Sequence, residues 1–352
     1  MRFSLIIPVF NRPDEVEELL DSLTRQHLSE FEVIIVEDGS DLPCANVVEK
    51  YKDKLDIHYF FKLNSGPGQT RNYGAEKAKG DYLLILDSDI IVPEGYLEAV
   101  EQGISKTGAL AFGGPDRAHP SFTPIQKAIS YSMTSFFTTG GIRGGKKKMD
   151  KFYPRSFNMG VKREVYLALG GFSSMRFGED IDFSIRLFKA GYACQLFRDA
   201  WVFHKRRSDF NKFFKQVHNS GIARINLYKK YPESLKLVHL LPAVFTLGVA
   251  FCALLLLLAF GVGTAIQTGI FEADPPFGLM IGTVALLPLL FYSLLIFIDS
   301  LVKNKSLKVA FLSIPASFIQ LLGYGTGFLR AWWSRCVKGR GEMEAFKNNF
   351  YK

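Results

Sequence analysis

The chain has 352 residues, 48% of them hydrophobic, and a formal net charge of +9. That is enough for one large domain or two smaller ones with a full core. Its four cysteines form no CxxC pair, which excludes a cysteine zinc cluster and points to no disulfide framework. The basic excess lies beside an apolar segment, from Lys205-Arg206-Arg207 to Lys236, where it suits a membrane flank better than nucleic acid.

In chain order, "FSLIIPV" (3–9) predicts a buried strand, and its apolar run is too short for a signal-peptide core. The N-terminal domain is therefore expected in the cytoplasm. Pro13 to Gln26 predicts an amphipathic helix, with Pro13 suited to the first turn. "FEVIIVE", "LDIHYFF" and "YLLILD" predict three further strands, separated by helical patterns at 44–52 and 67–78. Such alternation gives an α/β fold, a mostly parallel sheet with helices on both faces. Ligands bind such sheets at the carboxyl ends of the strands. Polar clusters stand at those ends: Pro8-Val9-Phe10-Asn11, Glu37-Asp38-Gly39-Ser40, Asn64-Ser65-Gly66 and Asp87-Ser88-Asp89.

Residues 116–160 give no clear pattern, and "TTGGIRGGKKKMD" (138–150) reads as a basic, glycine-rich loop. Helices are predicted over 162–172, ending at Gly170-Gly171, and over 178–191. The latter has acids in its first turn, where the helix dipole favours them, and Gly191 past its end. Residues 209–228 set Phe210, Phe213, Phe214, Val217, Ile225 and Tyr228 among lysines, a pattern suited to a membrane surface.

Three apolar stretches follow, at 238–262, 277–298 and 309–329. Each is long enough to cross about 30 Å of hydrocarbon. The loop at 263–276 lacks Lys and Arg, whereas 299–308 carries Lys303, Lys305 and Lys308, which orients the first two spans. The basic residues after the third span conflict with a third full crossing. Pro315, Gly323, Gly325 and Gly327 interrupt that span, so a broken or re-entrant helix with a cytoplasmic tail is expected. The expected division is a catalytic domain at 1–208, an amphipathic juxtamembrane helix at 209–236, a membrane region at 237–335 and a basic tail at 336–352.

Asp87 and Asp89 would repel each other at a strand end unless a cation stood beside them. Carboxylate oxygens suit Mg²⁺ or Mn²⁺, ions that also hold substrate phosphates. The doublet thus reads as a metal–diphosphate clamp.

With "IIPVFNRPD" (6–14), "VEDGS" (36–40), "NSGPGQTRNYG" (64–74), "LDSD" (86–89) and "GGF…GEDIDFSIR" (170–186), the sequence resembles the family-2 glycosyltransferases, inverting enzymes of the nucleotide-sugar-binding GT-A fold. The resemblance covers about the first 205 residues. It implies that Pro8, Phe10 and Asn11 line a nucleoside pocket and that Asp38 accepts from an N–H of the base, with uridine favoured. Asn64 and Gly66 would lie on the same nucleotide-sugar path. Arg71 would face the base or diphosphate. Asp87 would hold ribose or metal, Ser88 would sit between the acids, and Asp89 and His204 would ligate the metal. Asp180 would be the general base, with Glu179 beside it. A lipid phosphate needs no base, so this pair favours a hydroxyl acceptor on a lipid-linked saccharide or other glycolipid, over polyprenyl phosphate. The QxxRW motif of processive synthases is absent, "QLFRDAW" (195–201) having the wrong spacing, which favours single-sugar transfer. A non-catalytic scaffold would be expected to lack the doublet or the base.

Overall fold

The structure is a computed structural model that describes residues 2–140, 152–268 and 276–342. The described chain divides into two compact units, residues 2–121 with 152–205, and residues 122–140 with 206–342. The first begins with β1 (Phe3–Val9), α1 (Pro13–Leu23), β2 (Phe31–Asp38), α2 (Ala45–Glu49), β3 (Ile57–Lys62), α3 (Pro67–Lys77) and β4 (Tyr82–Leu86). It continues with β5 (Ile90–Ile91), α4 (Tyr96–Thr107), β6 (Ala111–Gly113) and β7 (Asp116–Arg117). The chain then gives α5 (Pro124–Thr134) and α6 (Phe136–Thr139) to the second unit. It returns with β8 (Asn158–Lys162), α7 (Arg163–Ala168), α8 (Glu179–Lys189), β9 (Gln195–Leu196) and β10 (Val202–His204). The second unit resumes with α9 (Phe210–Lys230), α10 (Leu241–Gln267), α11 (Pro276–Asn304) and α12 (Leu307–Trp332).

The main sheet has seven strands in the order β3-β2-β1-β4-β8-β6-β9, and β5, β10 and β7 form a small second sheet. β1 to β4 run parallel, while β8 is antiparallel to both β4 and β6. This is the mostly parallel sheet that the strand and helix alternation predicts. Residues alternate in the direction they face along each strand. Leu5, Ile7, Val33, Ile35, Leu84 and Leu86 pack with Val16, Leu19 and Leu20 of α1 and Leu97 and Val100 of α4. Ile6, Ile34, Val36, Leu83 and Ile85 pack on the other face with Ala75 of α3 and Phe183 and Leu187 of α8. Both faces are covered, which is why these strands read as unbroken apolar runs.

The domain boundary differs from the expected 1–208 span. α5 belongs with the apolar helices because its Ile129 and Met133 pack on Phe213 and Val217 of α9. Tyr131 also donates to Asp299 of α11 at 2.6 Å. Thr123 opens α5 with a capping box to Gln126. The 138–150 loop is corrected at its start, since Thr138 and Thr139 end α6, and residues 141–150 lie outside the described ones. Residues 343–352 of the tail do too.

Two expectations about the second unit need correction. α9 is amphipathic, but Phe213, Val217, Ile222, Ile225 and Leu227 are buried within the protein, not left as a free apolar face for lipid. α12 is one continuous helix through Pro315 and all three glycines, followed by a π turn at Trp333–Val337. Its glycines serve close packing rather than interruption. A β-carbon at Gly327 would stand 2.0 Å from the His218 carbonyl oxygen of α9, and one at Gly221 2.1 Å from that of Tyr324. Among the described residues, three helical segments, Leu237–Gln267, Gly278–Asn304 and Leu307–Val337, are long and apolar enough to cross a membrane.

Gly327→Ala should therefore force α9 and α12 apart and lose about 1–3 kcal/mol of stability. Gly248→Ala, where nothing lies within 4 Å, should not. Thermal unfolding of the full chain in detergent distinguishes the two.

Candidate active site

Strand register brings the polar clusters together. Pro8 pairs with Val36 and Val9 with Glu37, while Asp38 pairs with Lys62, so Phe10-Asn11, Asp38-Gly39-Ser40 and Asn64-Ser65-Gly66 share one sheet edge. Asn11 adopts a left-handed φ of 53°. Its Oδ1 accepts from the Leu42 N–H at 2.9 Å, and its own N–H donates to Ser40 Oγ at 2.8 Å. Ser40 in turn donates to Glu37, which also accepts from the Cys44 N–H at 2.8 Å. Glu37 is wholly buried and braces this corner, a role that sequence reasoning left unassigned.

Asp38 is 2% exposed. Its Oδ1 accepts from Lys62 Nζ at 2.5 Å and the Ser65 N–H at 2.9 Å, and its Oδ2 accepts from the Gly66 N–H at 2.9 Å. Asn64 Nδ2 donates to the Asp38 carbonyl at 2.8 Å. The carboxylate expected to meet a nucleobase thus already shapes the turn that starts α3.

The acidic doublet follows β4, with Ser88 buried between its two carboxylates. β10 pairs antiparallel with β5, His204 opposite Ile90, and this brings the distant imidazole to the doublet. Asp87, Asp89 and His204 each offer one donor atom, all within 4.8 Å of one another. His204 Nε2 lies 3.1 Å from Asp89 Oδ1, and its ring packs over Phe157 at 4.7 Å. Its buried Nδ1 has no hydrogen-bond partner among the described residues. Two carboxylates and an imidazole converging in this way fit a divalent ion. Arg12, which sequence reasoning passed over, donates to Asp89 Oδ2 at 2.8 Å and lies 3.0 Å from Glu15. Desolvation works against its charge, but Asp89 and Glu15 outweigh that and raise its pKa.

Arg71 links the doublet to the second acidic pair. Its buried guanidinium donates to Asp87 Oδ1 at 2.6 Å and to Glu179 Oε1 at 3.1 Å, and it packs over Phe172. Its neighbour Asn72 fixes α3 to the loop before α8, accepting from the Phe172 N–H and donating to the Phe172 carbonyl, both at 2.8 Å. Arg186 ties α8 to the same loop through the Leu169 and Gly171 carbonyls, each at 2.6 Å. Glu179 and Asp180 open α8, where the helix dipole favours anions. Asp180 Oδ2 faces Arg155 at 3.4 Å. Burial, with Asp180 adding repulsion, pushes Glu179 up to about 7 against the pull of Arg71.

The strand ends of this sheet thus gather a metal-fitting acidic doublet, a buried arginine and a helix-borne acidic pair, at the edge where open α/β sheets bind ligands. The sequence profile of glycosyl transferase family 2 matches residues 4–170. The chain is 41% identical over 93 residues to the poly(ribitol-phosphate) beta-N-acetylglucosaminyltransferase TarS of Staphylococcus aureus, covering 25% of this chain and 16% of that protein. It is 32% identical over 191 residues to an uncharacterized glycosyltransferase of Haemophilus influenzae, covering 52% of this chain and 61% of that one. The chain thus spans less than two thirds of the length of these relatives. The mannosyltransferase PcManGT of Pyrobaculum calidifontis, solved with GDP-Man and Mn²⁺, shares the fold at a TM-score of 0.53 and 16% identity, covering 95% of this chain and 88% of that one.

Because the folded Glu179 pKa lies above the ordinary 4.5, the native state holds a proton that the unfolded chain releases. Its stabilising contribution is present below about 4.5 and is lost as pH rises to about 7. Glu179→Gln should therefore gain in melting temperature relative to the parent across that window, read by thermal scans at stepped pH. A difference that is constant with pH would contradict the assignment.

Proposed function

We propose that this chain is a membrane-anchored inverting glycosyltransferase that moves one sugar from a nucleotide-diphospho-sugar to a hydroxyl acceptor. The observation that carries this reading is Arg71, one buried guanidinium contacting both Asp87 of the doublet and Glu179 of the α8 pair. A donor-diphosphate site and an acceptor-activating site then adjoin. On this reading Pro8, Phe10, Asn11, Asp38, Asn64 and Gly66 form the nucleoside side, with a uridine donor favoured. Asp87, Asp89 and His204 would hold Mg²⁺ or Mn²⁺. Such an ion supplies charge neutralisation for the departing diphosphate.

The acceptor oxygen attacks the anomeric carbon from the face opposite the diphosphate. As the new C–O bond forms, the bond to the diphosphate breaks and the acceptor proton passes to Asp180. The Asp180 side chain is only 11% exposed, which limits competition from water. An already ionised lipid phosphate would not need this base, so the acceptor is a hydroxyl on a lipid-linked saccharide or glycolipid. Three helices long and apolar enough to cross a membrane support an acceptor carried on lipid. Lysines at 303–308, set against none in the described part of the preceding loop, support a cytoplasmic catalytic unit on an inner membrane.

Asp180→Asn should lower kcat by about 10²–10⁴-fold while leaving nucleotide-sugar binding intact. Asp89→Ala should lose both transfer and donor binding. The assay is a UDP- and GDP-sugar screen with Mn²⁺ or Mg²⁺ on the full chain in detergent. Transfer to polyprenyl phosphate alone, with no hydroxylated acceptor used, would overturn the acceptor assignment.

A further inference from the structure

At the opposite edge of the main sheet, Glu32 of β2, Asp56 just before β3 and His58 of β3 each point one donor atom into a common space. The three atoms lie within 4.8 Å of one another. Glu32 is fully buried, and its two oxygens are treated very differently. Oε1 accepts from Ser4 Oγ at 2.7 Å and from the Lys79 and Gly80 N–H groups at 2.7 and 3.2 Å. Oε2 is buried with no hydrogen-bond partner among the described residues. Its nearest charged neighbours are His58 Nε2 at 3.5 Å and Arg2 at 4.0 Å.

We propose that Glu32, Asp56 and His58 form a second cation site, separate from the acidic doublet, for a zinc-type divalent ion. The distances match that chemistry. Zinc bonds of about 2.0–2.2 Å arranged tetrahedrally set neighbouring ligand atoms about 3.3–3.6 Å apart. His58 Nε2 stands 3.2 Å from Asp56 Oδ1 and 3.5 Å from Glu32 Oε2. Arg2 occupies the other Asp56 oxygen at 2.6 Å, so Oδ1 stays turned toward the imidazole. Two carboxylates against one guanidinium leave the cluster with a negative charge for a cation to meet. At this cluster no diphosphate oxygens stand by to complete the octahedral shell that magnesium keeps, as they would at the doublet, so two carboxylates and an imidazole at tetrahedral spacing favour zinc. The ion fastens edge strand β3 to β2 and supplies the missing partner of Glu32, so its effect is structural and its binding adds to fold stability.

The test uses tag-free, chelator-stripped full chain in detergent, with Asp89→Ala and His204→Ala silencing the doublet. Calorimetric titration with ZnCl₂ should show one site per chain, and zinc should raise the melting temperature. Adding His58→Ala, at a side chain 36% exposed, should weaken that site at least about tenfold and abolish the thermal shift. Glu32→Gln should weaken it as well, and millimolar Mg²⁺ should not compete. Absence of zinc binding in the silenced protein, or binding unchanged by His58→Ala, would show that the cluster is only an ion-pair network and would overturn the proposal.

Discussion

A buried guanidinium cannot exchange its partners for water, and Arg71 has two carboxylates as partners. Removing one side of a buried ion pair leaves an uncompensated charge and costs about 3–5 kcal/mol. The position of Arg71 on α3 therefore fixes the distance between the end of β4 and the start of α8. Asn72 and Arg186 hold both helices to the loop between α7 and α8, so neither acidic pair drifts relative to the other. The cost of burying these charges is met by their mutual pairing, and it leaves Glu179 close to the point of taking a proton.

The sheet was legible because both of its faces are covered. Four apolar runs punctuated by polar turns have few other solutions, and parallel register then carries every turn to one edge. The acidic doublet was legible for the same reason, standing at a strand end, whereas the α8 pair read from the residues alone only as first-turn acids and took its role from the family resemblance. Asp38 and Glu37 show where that reasoning thins. Adjacent acids on a strand face opposite sides, and only the tertiary partners distinguish the one that braces Ser40 and Cys44 from the one that braces the α3 turn.

Other features were hidden in physical terms. α5 carries a Thr123–Gln126 capping box with Pro124 in its first turn, a local signal present in the residues and passed over because the surrounding stretch is aromatic and irregular. An amphipathic helix reports that one face is apolar and not what covers it, so α9 read as suited to a membrane surface although protein covers that face. Glycines in α12 read as breaks because propensity counts the backbone freedom they release. In an apolar environment their small size matters more, since helices associate there through close backbone approach. Arg12 was hidden because its partner Asp89 lies far away in sequence and meets it only across the folded sheet edge.

The α9–α12 crossing also inverts the usual ranking of tolerated change. Bulky residues on the exposed sides of α10, such as Leu254, Leu257 and Phe260, touch little protein and can drift among apolar types at small cost. The smallest side chains, at 221 and 327, are the ones with no latitude, because each is met by the other helix's main chain, which cannot be trimmed by mutation. Sequence drift in this half of the molecule is thus confined by its least conspicuous residues.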